Sequence, residues 1–204
     1  SVTDGKFEID FSRLEGILAQ PRVKLFLLCN PQNPGGRGWR KDELQKLVDL
    51  CTTHDVIIFS DEIHCDVVYP PNRHTSLLNI TGAQQIGLVA HSIGKTFNTS
   101  GLQASFVIIP NSEMRGRFRN GAERMHAADI NLLGKVAMAH ALSPQGAEYK
   151  RQLIAYLQKN TLLVAEKLKA LDIDVMVPEA TFLVWSDFRR FGPWKTVFNR
   201  LLND

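Results

Sequence analysis

The chain has no apolar run near the roughly 18 residues that a helix needs to cross a bilayer. Its first residues also lack the basic and apolar pattern of a signal peptide. The sequence therefore gives no indication of a membrane segment, and we expect no membrane partner.

Cysteine is scarce. The three cysteines, Cys29, Cys51 and Cys65, are odd in number, lie in apolar surroundings and form no CxxC pair. This pattern gives no disulfide framework, and it favours a reducing, cytoplasmic setting.

Neither sign of charge dominates. Lysine and arginine number 24 and aspartate and glutamate 21, a surplus too small to favour nucleic acid as a partner. The arginine-rich stretch MRGRFRNGAER is accordingly predicted to be a solvated helix face rather than an anion-binding stripe. With 44% hydrophobic residues among 204, the composition is typical of a soluble globular protein.

Both ends of the sequence lack the usual signals of a terminus. The chain begins SVTDGKFEIDFSRLE, without methionine, and stops at PWKTVFNRLLND, inside an amphipathic pattern. We expect a fragment that lacks both ends of a longer protein.

Short apolar runs alternate with helical patterns in the first half of the chain. The runs at 24–29, 56–60, 87–92 and 104–109 are predicted to be strands, and residues 11–19 and 41–54 to be helices. Uniformly apolar strands are covered on both faces of a sheet. The pattern therefore predicts an α/β fold with a largely parallel sheet.

The second half is mainly helical. A helix is predicted over NLLGKVAMAHAL, a break at 143–146, and a long helix over 147–170. The stretch DIDVMVPEATFLVWSDF then alternates like strands, and we expect Phe182 and Trp185 to lie in a small core there. We place a domain boundary near residue 150, with 1–150 in a large domain and 151–204 starting a smaller one.

Three loops with unusual chemistry follow the carboxyl ends of predicted strands, at 30–36, 61–64 and 92–95. Ligands collect at the carboxyl ends of strands in α/β sheets, so we expect these loops to converge on one pocket. The second loop delivers Asp61 and the third delivers Lys95. A lysine at the end of a buried strand loses hydration, which lowers its pKa, so Lys95 is either a misplaced surface residue or a nucleophile.

Each element alone has a simpler explanation. NPQNPGG could be only a tight turn, Asp61 and Glu62 a helix cap, Ser92 a turn cap and Lys95 a surface residue. His64, Cys65 and Asp66 suggest a metal, but such close neighbours cannot all point to one centre. We predict no metal site.

In order and spacing, three motifs together resemble the fold-type-I, pyridoxal-phosphate-dependent aminotransferases of classes I and II. The motifs are Asn33 in NPGG, Asp61 with His64 three residues on, and Ser92 three residues before Lys95 in SIGKTFN. The resemblance implies a three-layer α/β/α large domain with a mostly parallel sheet, followed by the start of a small α+β domain.

The details resemble one branch, the MalY/PatB-type lyases that cleave carbon–sulfur bonds in cystathionine and cysteine conjugates. CNPQNPGGRGW, SDEIHCD and KTFNTSGLQ carry this similarity. Two departures from the common aminotransferase pattern support it, since His64 stands where a tyrosine is usual and Gln103 where an arginine is usual.

The resemblance implies that pyridoxal 5′-phosphate is bound. Lys95 would hold it as a Schiff base and then take the substrate Cα proton, while Asp61 would keep the pyridine nitrogen protonated. Asn33 and His64 would face the phenolic oxygen, and Ser92 and Gln103 the phosphate. A homodimer acting on an amino acid is implied for the full-length protein, whereas the fragment alone lacks much of a working site.

Three functions stay open. A β-lyase would release pyruvate, ammonia and a thiol, and an aminotransferase would need a keto acid. A regulatory protein related to the MocR type would keep the domain as a ligand sensor.

Overall fold

The computed structural model describes residues 2, 3 and 5–203, and its strands and helices follow the predicted alternation. Two short antiparallel pairs of strands lie near the start and near the end of the chain. The strands are β1 Val2–Thr3, β2 Lys6–Phe7, β3 Leu25–Cys29, β4 Ile57–Asp61, β5 Gly87–His91, β6 Phe106–Ile108, β7 Asp174–Met176 and β8 Trp185–Asp187. The helices are α1 Phe11–Leu18, α2 Lys41–Thr53, α3 Ala83–Ile86, α4 Ser112–Arg124, α5 Leu132–Ala141, α6 Pro144–Ala170 and α7 Trp194–Asn203.

The central sheet has the order β3-β4-β5-β6, with β3, β4 and β5 parallel. The prediction of a mostly parallel sheet is confirmed, and β6 is an exception because it pairs antiparallel with β5. A parallel return needs a crossover of a dozen or more residues, usually a helix. Residues 92–105 contain no α-helix, only loops and one short 3-10 turn, Ser100–Leu102. The chain reverses direction there, and β6 runs antiparallel to β5.

Helices α1 and α2 cover one face of this sheet. The apolar residues of α2 recur at helical spacing, so they share one face and are buried against the sheet. At its start, a Glu43 carboxylate oxygen accepts a hydrogen bond from the Arg40 backbone N–H, and the other pairs with the buried Arg37 guanidinium at 2.6 Å. The core includes Leu14, Leu18, Leu28, Leu44, Leu47, Val48, Cys51, Val56, Ile58, Leu77, Ile80 and Val89.

The arginine-rich helix α4 is solvated, as predicted, since none of its residues is buried. Among residues 2, 3 and 5–203, no helix combines the length and apolar character needed to cross a membrane.

Helix α6 begins earlier than predicted. The expected break at 143–146 is its start, because the Ser143 hydroxyl caps the Gly146 N–H and Pro144 occupies the first turn. The helix runs without interruption past residue 150 to Ala170. The division into residues 1–150 and 151–204 stays a prediction.

The segment 178–182 joins the end of the chain to the central sheet. Gly36 O accepts hydrogen bonds from the N–H groups of Glu179 and Ala180, and Thr181 N donates to Val67 O at 2.8 Å. Gly36 has φ of 68°, and a Cβ there would lie 2.2 Å from Pro178, so glycine is required. This segment therefore packs directly on two of the loops at the edge of the sheet.

Candidate active site

The carboxyl ends of β3, β4 and β5 lie side by side. Asp61 pairs in register with Cys29 on one side and Ala90 on the other. The loops at 30–36, 61–64 and 92–95 therefore start from one edge of the sheet.

His64 feels the charges of two other predicted site residues, Lys95 and Asp61. Burial lowers the pKa of His64, the positive charge of Lys95 lowers it further, and the Asp61 carboxylate opposes both. Charges act on a partner in this way over distances of a few ångströms. Lys95 and Asp61 therefore both lie close enough to His64 to influence its charge.

His64 is also held by its packing. Its side chain is 3% exposed, and its ring meets the edge of Phe182 with centroids 5.4 Å apart. Its buried Nδ1 has no hydrogen-bond partner among the described residues. A buried polar atom without a partner costs free energy, which marks Nδ1 as an atom available to a ligand.

Lys95 itself is exposed, so the expectation of a desolvated lysine is wrong for this chain. Strand β5 ends at His91, and the loop beyond it buries Ile93, Gly94 and Thr96 while Lys95 stays exposed. The Lys95 amine is therefore accessible to solvent at this edge of the sheet.

Asp61 and Asn33 lie on the two other loops at this edge of the sheet. Both are exposed, and the Asp61 Oδ1 accepts a hydrogen bond from the Ile63 N–H at 3.1 Å. The loop that carries Asn33 is closed by a hydrogen bond from Gln32 N to Arg37 O at 2.7 Å. A second hydrogen bond, from Asn33 N to the Cys29 Sγ at 3.3 Å, ties this loop to the end of β3.

Ser92 is bonded within its own loop, and Gln103 lies just before β6. The Ser92 hydroxyl donates to Ala104 O at 2.7 Å and accepts from Gly94 N at 3.0 Å, so its single proton is used inside the loop. Gln103 is exposed, with φ of 50°, at the end of the short turn before β6. Of the six predicted site residues, Lys95 and Asp61 thus have an electrostatic influence on His64, while Ser92 is bonded within its own loop.

From the sequence, Glu62 was considered only as part of a possible helix cap, and its burial was not predicted. Its carboxylate is 3% exposed and accepts hydrogen bonds from Leu77 N at 2.8 Å and from the Ser60 hydroxyl at 3.0 Å. His74 Nε2 lies 2.8 Å from its second oxygen. The sequence did contain a signal for this burial, because successive residues of a strand point to opposite faces. If Asp61 faces the site, the adjacent Glu62 is expected to point the other way.

Phe182 and Trp185 were placed wrongly. They are 41% and 42% exposed rather than part of a core. Phe182 instead meets His64, because the segment 178–182 is anchored on the loops of the sheet.

The family described as aminotransferase class I and II matches residues 2–201. The chain belongs to this family. Cystathionine beta-lyase PatB of Bacillus subtilis (strain 168) is 37% identical over 193 residues, which are 93% of this chain and 49% of that protein. Protein MalY of Escherichia coli (strain K12) is 34% identical over 188 residues, 91% of this chain and 47% of that protein.

The fold is similar to that of cystalysin from Treponema denticola, whose crystal structure contains a pyridoxal 5′-phosphate cofactor. The TM-score is 0.94 at 30% identity, over 100% of this chain and 52% of that one. The chain thus spans about half the length of the relatives it matches. Aminotransferases match as well, at lower identity.

These similarities confirm the predicted family, its MalY/PatB-type branch and the α/β fold of the type I enzymes. Pyridoxal 5′-phosphate is the cofactor of this class I and II aminotransferase family, as predicted. The side chains at this edge of the sheet fit pyridoxal 5′-phosphate. Lys95 offers an amine to the aldehyde of the cofactor, and Asp61 offers a carboxylate to its pyridine nitrogen. Asn33 and the free Nδ1 of His64 offer polar atoms beside them.

Proposed function

We propose that the whole protein is a pyridoxal-phosphate-dependent carbon–sulfur β-lyase that acts on cystathionine or related cysteine S-conjugates. The observation that carries this proposal is that the loops after β3, β4 and β5, with Asn33, Asp61 and Lys95, start from one edge of the sheet, where the buried imidazole of His64 also lies. The similarity to PatB and MalY supports the lyase branch.

The proposed roles follow from the chemistry of each group. Lys95 would attach the cofactor through Nζ and, once displaced by the substrate amine, take the proton from the substrate Cα. When bound, the cofactor supplies an electron sink for the negative charge left on that carbon. Asp61 would keep the ring nitrogen protonated and so keep the sink effective.

The remaining contacts would hold the cofactor in place. We propose that Asn33 and His64 face its phenolic oxygen, and that Ser92 and Gln103 face its phosphate. Ser92 would have to turn its proton away from Ala104 O to donate there. A neutral glutamine in place of an arginine would hold the phosphate less strongly.

We also propose that the whole protein is a cytoplasmic homodimer. All three cysteines are free, which agrees with a reducing compartment. Several large apolar side chains of the described chain are exposed, including Leu27 at 70% and Leu133 at 67%, which agrees with further packing partners.

The reaction is tested by incubating the whole protein with pyridoxal phosphate and cystathionine without any keto acid. We expect pyruvate, ammonia and a thiol in equal amounts, because β-elimination needs no amino-group acceptor. S-methylcysteine serves as a second substrate of the same class.

An aminotransferase is the second candidate, favoured by the matches to transaminases at 26% identity. Turnover that starts only after 2-oxoglutarate is added would establish this second function and reject the lyase. Cofactor binding with no turnover under either condition would indicate a regulatory protein instead.

A further inference from the structure

The carboxylate of Asp66 contacts the end of β5, the loop after it and helix α6. Asp66 lies in the loop after β4, and its side chain is 19% exposed. Its Oδ1 is 2.8 Å from the Lys150 ammonium on α6, and its Oδ2 accepts a hydrogen bond from the Thr96 hydroxyl at 3.2 Å. The same Oδ2 is 3.6 Å from His91 Nε2.

These contacts hold the two ends of the segment that carries Lys95. His91 is the last residue of β5, and Thr96 directly follows Lys95 in the chain. Thr96 is 1% exposed, so its side chain is fixed in the interior while Lys95 points outward. One carboxylate therefore restrains the start and the end of the loop 92–95.

We propose that Asp66 is a positioning residue that fixes the loop 92–95 and thereby the direction in which Lys95 presents its amine. Its importance for catalysis rests on the proposed function of Lys95, whereas its effect on the loop does not. A displacement of about 1 Å at a reacting group can lower a rate on the order of a hundredfold.

The charges around Asp66 support this role. Burial alone raises the pKa of Asp66, but His91 and Lys150 outweigh burial and hold that pKa well below its usual range. Burial lowers the pKa of His91, yet its contacts with Asp66, Cys65 and the Glu62 carbonyl together raise that pKa to about 10. Cys65 Sγ and Glu62 O lie within 3.5 Å of the His91 Nδ1. The two cations would repel each other without the carboxylate between them.

A bound cation is the competing explanation for this cluster. Cys65, Asp66 and His91 bring ligand atoms within 4.8 Å of one another. The Lys150 ammonium already contacts the carboxylate, however, and a second cation there would be repelled. The cluster is therefore better explained by a role of Asp66 in positioning the loop 92–95. The absence of a metal site stays a prediction.

The test compares hydrogen exchange of backbone amides in the cofactor-free whole protein. The variants are Asp66→Asn, Thr96→Val and Thr96→Ser, with Asp49→Asn on the exposed face of α2 as the matched control. We expect Asp66→Asn to accelerate exchange at 93–97 about tenfold or more, as loss of a charged hydrogen bond implies. Thr96→Val should give a smaller acceleration there, and Thr96→Ser, which keeps the hydroxyl, should match the wild type.

Local acceleration with unchanged exchange in α2 supports the proposal, and in the loaded enzyme it should accompany a fall in kcat with little change in KM. Unchanged exchange at 93–97 in Asp66→Asn overturns it. If Asp66→Asn unfolds, Thr96→Val decides alone, and equal exchange in Thr96→Val and the wild type rejects the proposal. Local acceleration in a protein without lyase activity would uphold the loop restraint and reject only the proposed function.

Discussion

Replacing Lys95 with alanine in the whole protein is expected to lower kcat at least about a hundredfold, and up to about ten-thousandfold. That range is typical for loss of a group that transfers a proton in the transition state, and loss of covalent attachment of the cofactor adds to it. Steady-state release of pyruvate from cystathionine, at saturating pyridoxal phosphate, measures the effect.

The control for this experiment is Lys46→Ala. Lys46 is an exposed lysine on α2 that lies over the ring of Phe11 and is not one of the proposed site residues. Its replacement should leave kcat unchanged. A Lys95→Ala protein that keeps more than about a tenth of the wild-type rate would exclude Lys95 as the proton-transfer group.

Replacing Glu62 with alanine is expected to lower the free energy of unfolding by about 2–5 kcal/mol, because each buried hydrogen-bond donor left without its acceptor costs about 1–3 kcal/mol. The substitution leaves the Leu77 N–H, the Ser60 hydroxyl and His74 without their acceptor. Urea unfolding of the whole protein at neutral pH measures the loss. Glu15→Ala, at an exposed position of α1, is the control and should change stability by less than about 0.5 kcal/mol.

The Glu62 effect should also depend on pH. Burial alone raises the pKa of Glu62, but hydrogen bonds from His74 and the Leu77 N–H outweigh burial and hold that pKa below its usual value. A lowered pKa in the folded state contributes stability above the unfolded pKa, and that contribution is lost as pH falls through the folded pKa. The difference between wild type and Glu62→Ala should therefore narrow in acid, and a difference that grows in acid would contradict this role.

The sequence was sufficient for the order of the four central strands and for the loops that carry the site, but not for β1, β2 and α3. Apolar runs placed β3, β4 and β5 to within one or two residues, and the parallel arrangement of those strands brings their loops to one edge. The order of these strands is therefore enough to predict that Lys95 and Asp61 lie at the same edge of the sheet. Their separation in sequence did not matter, because strand ends meet in register.

Other features depend on contacts that no local pattern encodes. The reversal into β6 follows from how residues 92–105 pack, and the exposure of Lys95 follows from which of its neighbours fill the interior. Phe182 reaches His64 only because the segment 178–182 bonds to residues far away in sequence. Distant pairings of this kind are set by the tertiary fold.

The central claim is that Lys95 binds the cofactor covalently at the edge of the sheet. The most direct measurement is borohydride reduction of the whole protein loaded with pyridoxal phosphate, followed by digestion and mass spectrometry. We predict one modified peptide, with the phosphopyridoxyl group on Lys95. A modification spread over several lysines, or concentrated on a lysine other than Lys95, would contradict it.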